Sequence, residues 1–153
     1  MLNLSSGGVD TMSTTLWVAG GVLAVLGAGA AWLWTPDLPR DRLESRYLAE
    51  AGDMVEAAGA RLHVRASGPE DAPAVFMIHG FGASLHTWEG WARGLEGDYR
   101  VIRFDLPGAG LSPPDPTGRY DDERAFELLE GLMALYGLET AAIIGNSVGG
   151  RIA

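Results

Sequence analysis

Residues 141–144, Ala-Ala-Ile-Ile, run without a charge straight into Gly145-Asn146-Ser147-Val148-Gly149-Gly150, and few backbones can accommodate that junction. A short, wholly apolar run suits a strand buried on both faces. If that strand turns into a helix within one residue, the residue at the turn, Ser147, is held in a strained conformation with its hydroxyl projecting. Side chains at positions 145 and 149 would collide with the neighbouring strand and helix, and glycine avoids both collisions. Ser147 then stands at a helix N-terminus, where free N–H groups favour developing negative charge. In a chain with 22 glycines a Gly-x-Ser-x-Gly spacing arises easily by chance, so its place directly after an apolar strand is what gives it meaning.

The same alternation continues upstream. Residues 74–78 (Ala-Val-Phe-Met-Ile) form a continuous apolar run and residues 101–104 another short strand. Between them Thr87 is positioned to cap a helix over 88–95. Asp121 or Asp122 can cap a second helix reaching Tyr136 and ended by Gly137, with Phe126, Leu129, Leu132, Met133 and Tyr136 at helical spacing. Before these, residues 54–58 and 61–66 read as a hairpin with its tight turn at Gly59-Ala60. Strand–helix alternation with short loops predicts an α/β domain with a largely parallel sheet, in which 141–144 is a third buried strand.

A second chemical signal, His79-Gly80-Phe81-Gly82, follows strand 74–78. In this context it looks like an oxyanion-hole turn, with the Phe81 backbone N–H as one donor and the Val148 N–H as the other. A third, Asp105-Leu106-Pro107-Gly108-Ala109-Gly110, follows strand 101–104, with Ser112 just beyond. Three motifs after three strands, in this order and spacing, resemble the α/β-hydrolase superfamily over residues 54–153. The resemblance implies a serine hydrolase with Ser147 as the catalytic nucleophile. It also implies a small ester-like carbonyl substrate, an acyl-enzyme intermediate, and an architectural role for the Asp105 turn. A carbon–carbon bond hydrolase of the same fold uses the same nucleophile. Superfamily members that open epoxides or remove halogens carry aspartate at this position, so Ser147 disfavours those chemistries.

Other chemistries are excluded by what the chain lacks. It has no cysteine, which removes disulfides, thiolate metal sites and cysteine nucleophiles. All 11 basic residues are arginine, so Schiff-base lysines and the phosphate-loop lysine are absent too. A formal charge of −9 repels phosphate backbones and argues against nucleic acid as a partner. No metal or organic cofactor is implied. The three histidines, His63, His79 and His86, all precede Ser147, whereas the family order is nucleophile, acid, histidine. Each therefore reads as structural or solvated, and none as the catalytic base.

Residues 16–34 form an uncharged run of 19 that would span about 28 Å as a helix, with Trp17 at one end and Trp32 and Trp34 at the other. A cleaved signal peptide competes with an uncleaved transmembrane anchor here, since Ala28-Gly29-Ala30 fits a small-x-small cleavage site. The absence of Lys or Arg before residue 16, with Arg40, Arg42 and Arg46 after the span, favours the anchor and would place the following domain in the cytoplasm. A bacterial inner-membrane location is expected, with a secreted or periplasmic product as the alternative.

The expected organisation is then a leader (1–15), the anchor (16–34), a linker (35–53) containing a short amphipathic helix over 41–50, and an N-terminal part of the hydrolase domain (54–153). Only Arg151-Ile152-Ala153 and three residues of the elbow follow Ser147, so neither the triad acid nor its histidine lies downstream in this chain. The expectation is an incomplete site in an N-terminal fragment, inactive by itself because a serine without a positioned base is a poor nucleophile. A non-catalytic membrane-tethered module is the alternative from another class.

Overall fold

The structure is a computed structural model that describes residues 11–153; the first ten residues of the expected leader lie outside the described residues. It divides into two compact units with the boundary between Leu38 and Pro39. The first is dominated by helix α1 (Thr11–Leu33), so the last part of the expected leader is helical. Leu16, Trp17, Val22, Leu26, Trp32 and Leu33 are all exposed. A helix packed in a soluble core shows one apolar stripe, whereas this one carries no charge on any face. Its segment Ser13–Leu33, 21 residues of mean hydropathy 1.9, is long and apolar enough to cross a membrane; a signal sequence has the same properties.

The second unit begins with α2 (Arg40–Tyr47), which starts after Pro39 and stops at the extended Leu48, three residues short of the predicted end. A single 3₁₀ turn, Ala51–Asp53, leads into the hairpin of β1 (Met54–Ala57) and β2 (Ala60–Ser67). The turn residues are Ala58 and Gly59, at φ 47° and 75°, rather than the predicted Gly59 and Ala60. Two positive φ values in a two-residue loop match the right-handed twist of the strands, and Ala60 is drawn into the ladder opposite Ala57. Ala58, with a Cβ, sits there at a cost of about 1 kcal/mol.

Next come β3 (Ala74–Ile78), α3 (Glu89–Leu95), β4 (Arg100–Phe104), α4 (Asp122–Leu135), β5 (Ala142–Gly145) and α5 (Val148–Ile152). The sheet order is β1-β2-β4-β3-β5, with β3, β4 and β5 parallel and β2 antiparallel to both β4 and β1. Alternate residues of β3 serve the two faces. Phe76 and Ile78 pack with Ile102, Phe104, Leu128, Leu129 and Leu132, the last three from α4. Val75 and Met77 pack with Val101, Trp88 and Ala92 on the α3 side. With β4 on one side of β3 and β5 on the other, two right-handed crossovers must leave on opposite faces, which is where α3 and α4 lie.

Several local expectations are corrected. Thr87 lies inside a 3₁₀ turn, Leu85–Trp88, and α3 starts at Glu89 with no side-chain cap. Helix α4 is capped by Asp121, whose Oδ1 accepts the Arg124 amide at 2.8 Å, but its buried stripe is Arg124, Leu128, Leu129 and Leu132. Phe126 is exposed instead, because Arg124 turns inward to Asp115 and to the Ala58 carbonyl and rotates the helix accordingly. Strand β5 is only half-buried: one edge pairs with β3, and no described strand covers the other.

What matters for the site is register. Ile78 pairs with both Phe104 and Gly145, so the three parallel strands end at one level. His79, Asp105 and Asn146 therefore emerge side by side at the carboxyl edge, where ligands of open α/β sheets gather.

Candidate active site

Ser147 adopts φ 54° and ψ −113°, one of two non-glycine residues among those described with positive φ. Such a conformation costs about 1–3 kcal/mol and persists only where the surroundings impose it. They do so from both sides. A Cβ on Gly145 would lie 2.0 Å from the Gly149 carbonyl oxygen, and one on Gly149 would lie 2.2 Å from that of Ile78. The Asn146 amide donates to the Ile78 carbonyl at 3.1 Å, and the Arg151 amide to that of Ser147 at 3.1 Å, so strand and helix are stitched directly across the serine. Ser147 itself is exposed.

Against this elbow lies the 80–83 turn. The Ala83 amide donates to the Gly80 carbonyl at 3.3 Å, and Gly82 has φ 67°, as the third position of a type II turn requires. A Cβ on Gly80 would come within 3.2 Å of Ser147 Cβ and 3.0 Å of Asn146 Oδ1, so the turn and the elbow touch. Phe81 presents a fully exposed ring. Its amide and that of Val148 have no acceptor among the described residues. The structure thus brings Ser147, Phe81 and Val148 together at one strand edge.

Asp105 organises the ground around them. Its Oδ1 accepts the Leu85 amide at 2.7 Å, and its Oδ2 accepts the Leu111 amide at 2.9 Å and the His63 Nδ1–H at 2.8 Å. Burial works to raise its pKa, but the His63 hydrogen bond and the two amides outweigh it and hold the carboxyl below the usual carboxylate range. Ser112 Oγ completes the knot by donating to the Asp105 carbonyl at 2.7 Å while accepting the His63 amide at 2.9 Å. Gly110, at φ 51°, is pressed so close that a Cβ there would sit 2.0 Å from Asp105 Oδ2. The carboxylate is therefore consumed in holding loops.

The histidines behave as structural groups. His63 is fully buried on Asp105, and His79 is buried with both ring nitrogens engaged. His86 is half-buried beside Tyr47, with ring centroids 5.8 Å apart; burial, and then Arg65, push its pKa down. The His63–Asp105 link had no signal in the sequence, since the partners lie 42 residues apart.

A cavity of about 650 Å³ opens beside the serine, lined by Phe81, Leu106, Tyr120, Leu128, Val148 and Ile152 among others. Ser147 borders this space and does not line it. Two features of the rim were not foreseen from sequence. Arg124 is buried and spans Asp115 Oδ2 at 2.9 Å and the Ala58 carbonyl at 3.0 Å, and Arg151 pairs with Asp122 at 2.7 Å. Burial would raise the Asp115 pKa, but Thr117 and Arg124 together lower it. No group of three or more His, Cys, Asp or Glu side chains able to hold a metal occurs among the described residues.

Comparison with known proteins follows the same outline. A family model for the alpha/beta hydrolase fold matches residues 73–153. A magnesium-chelatase 30 kDa subunit of Rhodobacter capsulatus is 40% identical over 87 residues, which are 57% of this chain and 31% of that protein. Epoxide hydrolase A of Mycobacterium thermoresistibile superposes with a TM-score of 0.61 at 33% identity, over 65% of this chain and 32% of the other. A membrane phospholipase A described as a bacterial virulence factor superposes with a TM-score of 0.63 at 29% identity, over 92% of this chain and 46% of the other. The chain spans about a third of the length of the curated relatives it matches.

Proposed function

The chain belongs to the alpha/beta hydrolase fold family, and from that premise we propose that Ser147 is the nucleophile of a serine hydrolase acting on carboxylic esters. Its hydroxyl attacks the ester carbonyl, and the Phe81 and Val148 amides receive the oxyanion. The leaving alcohol departs with a proton, and water then hydrolyses the acyl-enzyme. The observation that carries this reading is the backbone of Ser147: a strained, exposed serine imposed by two glycine contacts, next to the Phe81 turn and the Val148 helix start, whose amides have no acceptor among the described residues. Strain held in place by the surrounding structure points to a functional position. The base and its acid belong, on this reading, to a segment beyond Ala153, in keeping with the share of its relatives that the chain covers.

The same proposal places the enzyme at a membrane through α1. The phospholipase neighbour aligns over 92% of the chain, more than residues 39–153 alone contain, and a membrane phospholipase as neighbour supports esters presented at a lipid surface. The test uses the full-length protein with p-nitrophenyl esters and with phospholipid vesicles. Turnover of either that disappears in Ser147→Ala supports the reading. Equal turnover by Ser147→Ala refutes the nucleophile, and turnover of a vinylogous diketone in place of esters replaces ester cleavage with carbon–carbon cleavage.

A further inference from the structure

The His79 ring is buried, follows β3 directly, and has no part in proton transfer to Ser147 as described above. Its two nitrogens are nevertheless bound in a way that fixes their roles. The Leu106 amide, which can only donate, points at Nε2 from 3.0 Å. Nε2 therefore accepts and carries no hydrogen, so the ring proton is on Nδ1. Nδ1 lies 2.8 Å from the Gly80 carbonyl oxygen, which can only accept, so the two assignments agree. Asp105 Oδ1 is 4.0 Å from Nε2 and receives the Leu85 amide at 2.7 Å instead.

The Gly80 carbonyl is half of the peptide group whose other half is the Phe81 N–H. No cis peptide occurs among the described residues, so this unit is trans and planar, and its N–H points opposite to its C=O. Whatever fixes the direction of the Gly80 oxygen also fixes that of the Phe81 hydrogen. Two donors converge on that oxygen, His79 Nδ1 at 2.8 Å and the Ala83 amide at 3.3 Å, and the shorter bond comes from a ring that is itself anchored to the β4 end through Leu106.

We propose that His79 is a positioning residue for the oxyanion donor: its Nδ1–H holds the Gly80 carbonyl and so aims the Phe81 amide at the oxygen of the carbonyl that Ser147 attacks. This rests on the reading of Ser147 as nucleophile. The flexible glycine on one side of the peptide and the exposed phenylalanine on the other do little to hold it, and a donor that tilts loses most of its value in the transition state.

Two near-isosteres separate this role from mere packing. In His79→Asn the amide nitrogen occupies roughly the place of Nδ1 and can still donate to Gly80, while the acceptor for Leu106 is lost. In His79→Gln the acceptor near Nε2 is kept and the donor to Gly80 is lost. For the full-length protein, His79→Gln is expected to lower kcat about 10- to 100-fold with KM changed by less than about twofold, a loss confined to the transition state. Its affinity for a boronic acid that mimics the tetrahedral intermediate should fall in parallel. His79→Asn is expected to stay within about fivefold of the parent. Equal losses in both variants, a loss confined to KM, or parental activity in both would overturn the proposal.

Should either variant fail to fold, nitrogen chemical shifts of ¹⁵N-histidine-labelled parent protein decide: a proton on Nδ1 is expected for His79, and one on Nε2 overturns the assignment. Ser147→Ala serves as the control that separates the two claims. Full activity in that variant defeats the nucleophile, while the nitrogen spectrum still judges His79 by itself.

Discussion

Gly149 and Gly150 are adjacent in sequence and both lie in α5, yet they should respond to alanine in opposite ways. A Cβ on Gly149 would stand 2.2 Å from the Ile78 oxygen, 2.7 Å from the Ile78 carbonyl carbon and 2.8 Å from the His79 oxygen. Carbon–oxygen contacts settle near about 3.3 Å, so helix and strand must separate by about 1 Å. All three obstacles are backbone atoms of β3 and its exit, which no rotamer change can move. Overpacking of this kind costs about 1–3 kcal/mol, at the upper end where neither side yields. In the full-length protein that is a fall in Tm of roughly 2–12 °C. On Gly150 the nearest atoms would be 3.3 and 3.6 Å away, a tight but tolerable contact offset by alanine's better helix propensity, worth up to about 1 kcal/mol. Thermal melts of the full-length protein followed by circular dichroism should place Gly150→Ala within a few degrees of the parent and Gly149→Ala far below it. Indistinguishable melting of the two variants would mean that the elbow is not wedged against β3, and the argument for imposed strain at Ser147 would fail with it.

Asp105→Asn leaves one acceptor oxygen for three donors and should destabilise by about 2–4 kcal/mol in urea titrations. Because the folded pKa of Asp105 is depressed, its contribution is present in full above its unfolded pKa and is lost as pH falls through the folded one. The variant should therefore lose less stability than the parent below about pH 4. Arg124→Met strands buried Asp115 beside α4 and should cost about 1–3 kcal/mol, part of it recovered by adding Asp115→Asn, as a double-mutant cycle would show. Ala58→Asn, at a position with φ 47°, should raise stability by about 0.5–1 kcal/mol, since asparagine tolerates the left-handed region better; a lower urea midpoint would contradict the hairpin geometry. Removing Ser13–Leu33 should shift the protein from the carbonate-resistant membrane pellet to the supernatant, and a mature N-terminus beginning after residue 30 would identify a cleaved signal in place of an anchor.

Where the sequence could be read, the deciding contacts were local or repeated. The strand at 74–78 was legible because burial on both faces removes every polar residue from it, and the elbow because its glycines collide with atoms a few residues away or on the next strand. The fold followed from strand–helix alternation, and the meeting of His79, Asp105 and Ser147 from the common position of their motifs at strand ends. Contacts between distant residues left no trace. The buried Arg124 is indistinguishable in sequence from the exposed arginines, yet its hold on Asp115 and Ala58 turns α4 so that Leu128 faces inward and Phe126 does not. The hairpin turn was misplaced by one residue because an alanine took a positive φ that the sequence would assign to glycine alone. Strand β5 looked fully buried because its composition is that of a central strand, although one edge is unpaired among the described residues.

The central claim is that Ser147 is a nucleophile, and covalent capture tests it most directly. Among the residues of this chain, cleavage at arginine releases residues 125–151 as one peptide in which Ser147 is the only serine. After treatment of the full-length protein with a fluorophosphonate ester, mass spectrometry should find the phosphonyl adduct on that peptide, at Ser147, and no labelling in Ser147→Ala. An adduct on any other residue, or undiminished labelling of the alanine variant, would contradict it.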